Sequence, residues 1–257
     1  MLEIWQTIIL GIVEGITEFL PISSTGHLIL TSKLLNLPPT DWLKSFEIAI
    51  QLGAILAVVV LYWRSLLVNW QILKKIIIAF IPTAIIGLAL YQVVKQYLLG
   101  SHTVVLWALL IGGAGLIVFE LWYKNKLVKV NELEEISYPQ ALLIGLAQSL
   151  AIVPGVSRAA ATIVGGLILG LGRKTIVEFS FLLAVPTMLA ATGLDLLKSA
   201  GSWSSGQFGI LAIGFVTSFV VALLSIKWLI QFIQKHTFIS FGVYRILIAL
   251  IFWLTLA

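Results

Sequence analysis

Residues Glu14 to Leu30 read EGITEFLPISSTGHLIL, and the fold turns on how this stretch is read. Two carboxylates, a proline, a run of hydroxyls and a histidine stand inside an otherwise apolar segment. Ionisable side chains are costly in hydrocarbon, so a membrane chain that keeps them there generally uses them. The rest of the chain makes the hydrocarbon setting plain: 60% of the 257 residues are hydrophobic and 11% are charged. With a mean hydropathy of +1.08, this is the composition of an integral membrane protein.

Apolar runs of about the 20 residues needed to cross a bilayer recur at 46–63, 76–94, 103–123, 177–197, 207–226 and 241–256, which predicts six spans. Two further apolar regions, 4–30 and 139–171, are interrupted by Pro21 and by Pro154-Gly155. A cleaved signal peptide is not expected, because Glu3 and no lysine precedes the first apolar run. The absence of cysteine excludes a disulfide framework, a thiolate metal site and a thiol nucleophile. The net charge of +5 comes from basic residues scattered through short loops, which fits contact with membrane lipids and not a nucleic-acid surface. The most polar piece, Lys124 to Tyr138, reads as a loop, so the whole chain, 1–257, is one membrane domain.

The chain repeats itself. A shift of 133 positions places Pro21 on Pro154, Ser24 on Ser157, Phe46 on Phe179 and Leu56 on Leu189. Upstream of the prolines the register slips by one, pairing Gly11 with Gly145 and Glu14 with Gln148. Two halves, about 1–123 and 139–257, are expected, each an interrupted helix followed by three spans. If each interrupted segment dips into the membrane and returns, one side collects Arg64, Lys74, Lys75, Lys124, Lys126, Lys129, Arg173, Lys174, Lys227 and Lys235, and the other only Lys33, Lys44, Lys95 and Lys198. The richer side is then cytoplasmic and both termini face out. The expected fold is therefore all-α and polytopic: six transmembrane helices plus two re-entrant helix hairpins in an inverted-topology repeat, their broken helices meeting near mid-membrane. Irregular backbone survives at that depth only inside protein or beside a water-filled cavity, so the tips should share one polar chamber.

Glu14 and Glu18, four residues apart, lie on one face of a helix. Carboxylates that close repel unless a proton, a cation or a base joins them. The blander reading is one neutral glutamate and one that snorkels. Beyond Pro21, Ser23 and Ser24 could be plain helix caps, but His27 and the glutamate pair go unexplained on that reading. Together they supply a hydroxyl nucleophile, a titratable base and oxygen ligands for a divalent cation. At the second tip Gly155, Ser157 and Arg158 start a new helix, where free N–H groups, the helix dipole and a guanidinium suit phosphate or carboxylate. Pairing of Arg158 with Glu18 is the structural alternative. Thr25, Ser23 and Gln148 are further candidate phosphate contacts. Glu47, Gln51 and Glu178 open spans and could sit at the interface, while Arg245 and Asp195 need only snorkelling or pairing. His102 and His236 read as solvated, and Trp63, Trp122, Tyr123 and Trp203 as interface markers.

GIVEGITEFLPISSTGHLIL and FEIAIQLGAILAVVV, followed by GLAQSLAIVPGVSRAAATIVGG and EFSFLLAVPTMLAAT, resemble the undecaprenyl-diphosphate phosphatase family, also called bacitracin resistance proteins, over nearly the whole chain. The family's E-x-x-x-E and P-x-S-S-T-G-H signatures match Glu14, Glu18, Pro21, Ser23, Ser24, Thr25, Gly26 and His27. Its P-G-x-S-R signature matches Pro154, Gly155, Ser157 and Arg158. One departure is Ala159-Ala160, where the family usually has Ser-Gly. With Ser157, Arg158 and Thr162 kept, activity is expected to persist.

The resemblance implies hydrolysis of a polyprenyl diphosphate lipid at the outer face of the bacterial plasma membrane, renewing the carrier of cell-wall polymers, with a divalent cation, Mg²⁺ or Ca²⁺. In the mechanism expected, Ser24 attacks the terminal phosphorus with His27 or Glu18 as base. Arg158 and the second tip clamp the phosphate, and Glu14 and Glu18 hold the cation. His27 as nucleophile and metal-activated water remain alternatives. Transport of a polyprenyl-phosphate lipid is the rival function, since broken helices in inverted repeats build carriers too. Oligomeric state is open, a homodimer among the options.

Overall fold

The computed structural model describes residues 2–98, 101–123, 128–199 and 207–256, with backbone alone for 95, 96, 194–199, 255 and 256. Lys124, Lys126 and Trp203, and the side chains of Lys95, Asp195 and Lys198, lie outside this description. Among the described residues the chain is helical, and its only β-type pairing is an isolated bridge between Val130 and Leu171.

The helices are α1 (Ile4–Thr17), α2 (Ser24–Leu34), α3 (Asp41–Leu61), α4 (Trp63–Leu67), α5 (Trp70–Val93), α6 (His102–Tyr123), α7 (Tyr138–Gln148), α8 (Arg158–Ile168), α9 (Arg173–Ser199), α10 (Gln207–Lys235) and α11 (Ile239–Leu256). Five of them, α3, α5, α6, α9 and α10, are long and apolar enough to cross a membrane among the described residues. α11 is shorter. By contrast α1 has 14 residues and α2, α7 and α8 have 11 each. At 1.5 Å per residue these are about 16–21 Å long, well short of a hydrocarbon core of about 30 Å.

Several helices outrun their apolar runs. α5 starts at Trp70 and so includes Lys74 and Lys75, expected in a loop. Lys75 is buried because its ammonium turns back to donate to the carbonyls of Leu133 (3.4 Å) and Glu134 (2.5 Å). The polar 128–138 stretch is thereby pinned, and it holds a 3₁₀ turn at Leu133–Glu135. α10 continues past 226 to Lys235, the charged residues of its last turns lying on the helix.

Helices dock across the two halves, the short α1 on α10 and α7 on α5, and the long α3 on α9 and α6 on α11. Close approach dictates small residues at these seams. A Cβ on Gly145 of α7 would lie 1.9 Å from the carbonyl oxygen of Ala79 on α5, inside any van der Waals contact. Phe46 and Phe179, matched by the 133-residue shift, are both fully buried.

Candidate active site

Proline sets each tip. α1 ends at Thr17 with Glu18 as its C-cap and Pro21 just beyond, and the chain restarts as α2 at Ser24. α7 runs through a 3₁₀ turn, Ser149–Ile152, to Pro154, and α8 starts at Arg158. Each restart is capped by a serine whose Oγ accepts from the N–H three residues on, Ser23 from Gly26 (3.4 Å) and Ser157 from Ala160 (3.2 Å). Both serines hold a positive φ, 72° and 78°, a conformation rare outside glycine and concentrated at functional sites. The caps therefore align Ser23, not Ser24, with Ser157, which corrects the register read from the prolines. The second tip carries one extra residue between proline and cap, so the 134-residue shift of the α1 and α7 positions persists through the caps, and Ser24 aligns with Arg158.

A cavity of 180 Å³ separates the tips. The first tip supplies Glu18, Ser23, Ser24 and Thr25 to its wall, the second Pro154, Gly155, Ser157 and Arg158. Ser24 Oγ donates to Glu18 Oε2 (2.5 Å), and Arg158 Nη2 donates to Glu18 Oε1 (2.8 Å). One carboxylate thus joins hydroxyl and guanidinium, and the Glu18–Arg158 pairing weighed as a structural alternative is present. Arg158 Nη1 donates to the Ser180 carbonyl (3.0 Å), while its Nε is buried with no acceptor. Both oxygens of Glu14 are fully buried and receive no hydrogen bond, with Glu18 as their acidic neighbour.

Other predicted residues lie differently. His27 Nδ1 is 2.8 Å from the Ser23 carbonyl, which only accepts, so Nδ1 carries the proton and Nε2 accepts from Tyr244 Oη (2.9 Å). Both ring nitrogens are engaged away from the Ser24 hydroxyl. Gln148 spends its amide N–H groups on Thr83 (2.9 Å) and Thr187 (3.2 Å) and braces the cavity wall. Ala159 and Ala160 belong to the apolar core and do not line the cavity, so this departure from the Ser-Gly pattern falls behind the site. Glu47 accepts from Ser32 (2.6 Å), and Glu178 lies beside Tyr62.

Sequence reasoning missed three contributors and misread a fourth. Thr83 and Thr187 follow prolines inside α5 and α9, and the mid-span IPT and VPT triplets were the available signal. Tyr244 was passed over in the last apolar run, and Arg245 was read there as needing only snorkelling or pairing. Arg245 does not snorkel: it is fully buried and donates to four carbonyls, Pro21 (3.2 Å), Val156 (2.9 Å), Ala108 (2.9 Å) and Gly155 (2.8 Å).

Among the described residues an all-helical chain with five helices long and apolar enough to cross a membrane, and with a serine and an arginine on one carboxylate between two broken helices, defines a polytopic membrane protein with a polar cavity at the helix breaks. The particular family follows from comparison: residues 7–251 match the family model described as Bacitracin resistance protein BacA, and the chain belongs to that family. Relatives named undecaprenyl-diphosphatase include one from Aquifex aeolicus, 52% identical with 96% of each chain covered. One from Wolinella succinogenes is 49% identical over 98% of this chain and 97% of its own. A third, from Methanococcus aeolicus, is 46% identical over 97% of each.

Proposed function

We propose that the protein hydrolyses undecaprenyl diphosphate to undecaprenyl phosphate and phosphate, and that the hydrogen-bonded chain Ser24–Glu18–Arg158 carries the reaction. Ser24 Oγ attacks the terminal phosphorus as Glu18 takes its proton. The bond from that phosphorus to the bridging oxygen breaks, and undecaprenyl phosphate leaves. Glu18 passes that proton to the departing phosphate oxygen and, a carboxylate again, takes a proton from water, whose oxygen attacks the phosphorus as its bond to Ser24 Oγ breaks and Oγ regains the proton. Arg158 and the first N–H groups of α8 face the charge that develops on the transferring group. Glu18 is preferred to His27 as base because the hydroxyl already donates to it, whereas His27 is committed to Ser23 and Tyr244.

The donor set fits a divalent cation. Glu14 offers two buried oxygens without a donor beside a second carboxylate, and hard cations on phosphate substrates need only one or two protein carboxylates. Glu14, with Glu18, would hold it, and when bound it neutralises phosphate charge.

The substrate's chemistry supports a setting in the bacterial plasma membrane, and the excess of basic residues on one set of loops supports a site and both termini that face outward. Six spans with two re-entrant hairpins fit the short α1, α2, α7 and α8, and the reciprocal docking of α1 on α10 and α7 on α5 supports a repeat of about 1–123 and 139–257, read as inverted from the loop charges. A pure carrier has no use for a serine on a carboxylate. The test is phosphate release from a soluble prenyl diphosphate by purified Ser24→Ala protein: the reading expects near-complete loss, and turnover close to wild type would eliminate Ser24 as nucleophile.

A further inference from the structure

We propose that Arg245, seated over Gly112 and backed by Tyr244, is a positioning residue that sets the spacing between nucleophile and phosphate clamp. The proposal rests on the hydrolytic reading above and adds a part that lines none of the cavity.

The tips are breaks between helices, and the loop carbonyls of Pro21, Gly155 and Val156 lie outside any helical ladder that would satisfy them. In hydrocarbon each such carbonyl is costly unless a donor is found. One guanidinium meets this need on both sides at once. Nη1 donates to Pro21 O at the first tip and Val156 O at the second, while Nη2 donates to Gly155 O at the second and Ala108 O on α6. No carboxylate pairs with this cation among the described residues. The four donors are held in a rigid plane, so their carbonyls are held at fixed separations. Pro21 lies three residues before Ser24, and Gly155 three before Arg158. The preceding residue, Tyr244, holds His27, which holds the strained Ser23 peptide. Two adjacent positions of α11 therefore grip both walls of the site.

Gly112 makes the seat. A Cβ there would lie 2.1 Å from Arg245 Nη2, so only glycine lets the guanidinium reach the tips from α11. Filling in carbonyls at one tip would be ordinary structural service. Spanning both tips means that a shift of Arg245 moves Arg158 relative to Ser24.

A double-mutant cycle on purified full-length protein, read as phosphate release from a soluble prenyl diphosphate, separates positioning from bulk stability. Arg245→Lys should lower kcat by about 10²-fold, the scale of an ångström-sized misplacement. In an Arg158→Lys background the same change should cost less than about threefold, because little aligned contact is left to lose. Gly112→Ala should follow Arg245→Lys in both backgrounds, and decides alone if the arginine variant does not fold. Gly115→Ala, whose Cβ meets nothing within 4 Å, should match wild type. Equal losses in the two backgrounds, or wild-type kcat in Arg245→Lys or Gly112→Ala, would overturn the proposal. If the wild type itself releases no phosphate, the hydrolytic reading falls, and the same cycle read through thermal stabilisation by inorganic pyrophosphate still decides whether the clamp exists.

Discussion

Replacing Glu18 by glutamine keeps the shape of the side chain and removes its charge, which tests the centre of the site. Two losses follow. Ser24 loses the base that accepts its proton, a contribution of about 10²–10⁴ in rate, or roughly 3–5 kcal/mol of barrier. Arg158 loses its counter-charge while buried, with 11% of its side chain exposed against 3% for Glu18, so solvent screens little of the change. Removing one partner of a buried pair costs about 3–5 kcal/mol. The amide oxygen of glutamine still accepts from Arg158, which brings the cost down to about 2–3 kcal/mol, the range for hydrogen bonds to charged groups. For a chain of this size that lowers Tm by about 5–10 °C. Inorganic phosphate in the cavity would supply the missing negative charge, so the loss of Tm in Glu18→Gln should shrink as phosphate is added, by more than wild type gains. The assays are phosphate release and thermal unfolding in detergent, with and without phosphate. Turnover within threefold of wild type, or an unchanged Tm, would refute the assignment of Glu18 as both base and counter-ion.

His27→Asn removes the bond to Tyr244 and leaves Ser24 on Glu18, so kcat should fall only about tenfold, the value of one buried hydrogen bond. A loss as deep as that of Ser24→Ala would restore His27 as a participant. Chelation should abolish phosphate release, and Mg²⁺ or Ca²⁺ should restore it in wild type but far less in Glu14→Gln; full activity in chelator would exclude the cation. Gly145→Ala forces a methyl onto the Ala79 carbonyl and should destabilise by about 1–3 kcal/mol or more, seen as a lower Tm.

The serine caps and Arg245 show where sequence reasoning stops. Polar residues in an apolar run, broken by proline and followed by small hydroxyl residues, identified both tips, because hydrocarbon tolerates such groups only where protein encloses them. The first run led to Ser24 and Glu18, and the second, broken at Pro154-Gly155, to Arg158. Yet alignment by proline put Ser24 on Ser157, since a pattern match cannot see that both cap serines share a left-handed φ. The choice between Glu18 and His27 as base was equally out of reach. It depends on which carbonyl the imidazole meets, and Tyr244, its other partner, lies 217 residues away.

Arg245 marks the boundary most clearly. A lone arginine in a terminal apolar helix reads as a snorkelling residue, because helix ends are near water in most membrane chains. Sequence by itself determined the solvent, the helical class and the polar tips, all of which follow from local composition and the cost of polar groups in lipid. Only the tertiary structure decided that Arg245 bonds Pro21 and Gly155, 224 and 90 residues away. Contacts that distant depend on how α6 and α11 cross at Gly113 and Gly242, beside the Gly112 seat, and no local pattern encodes that crossing.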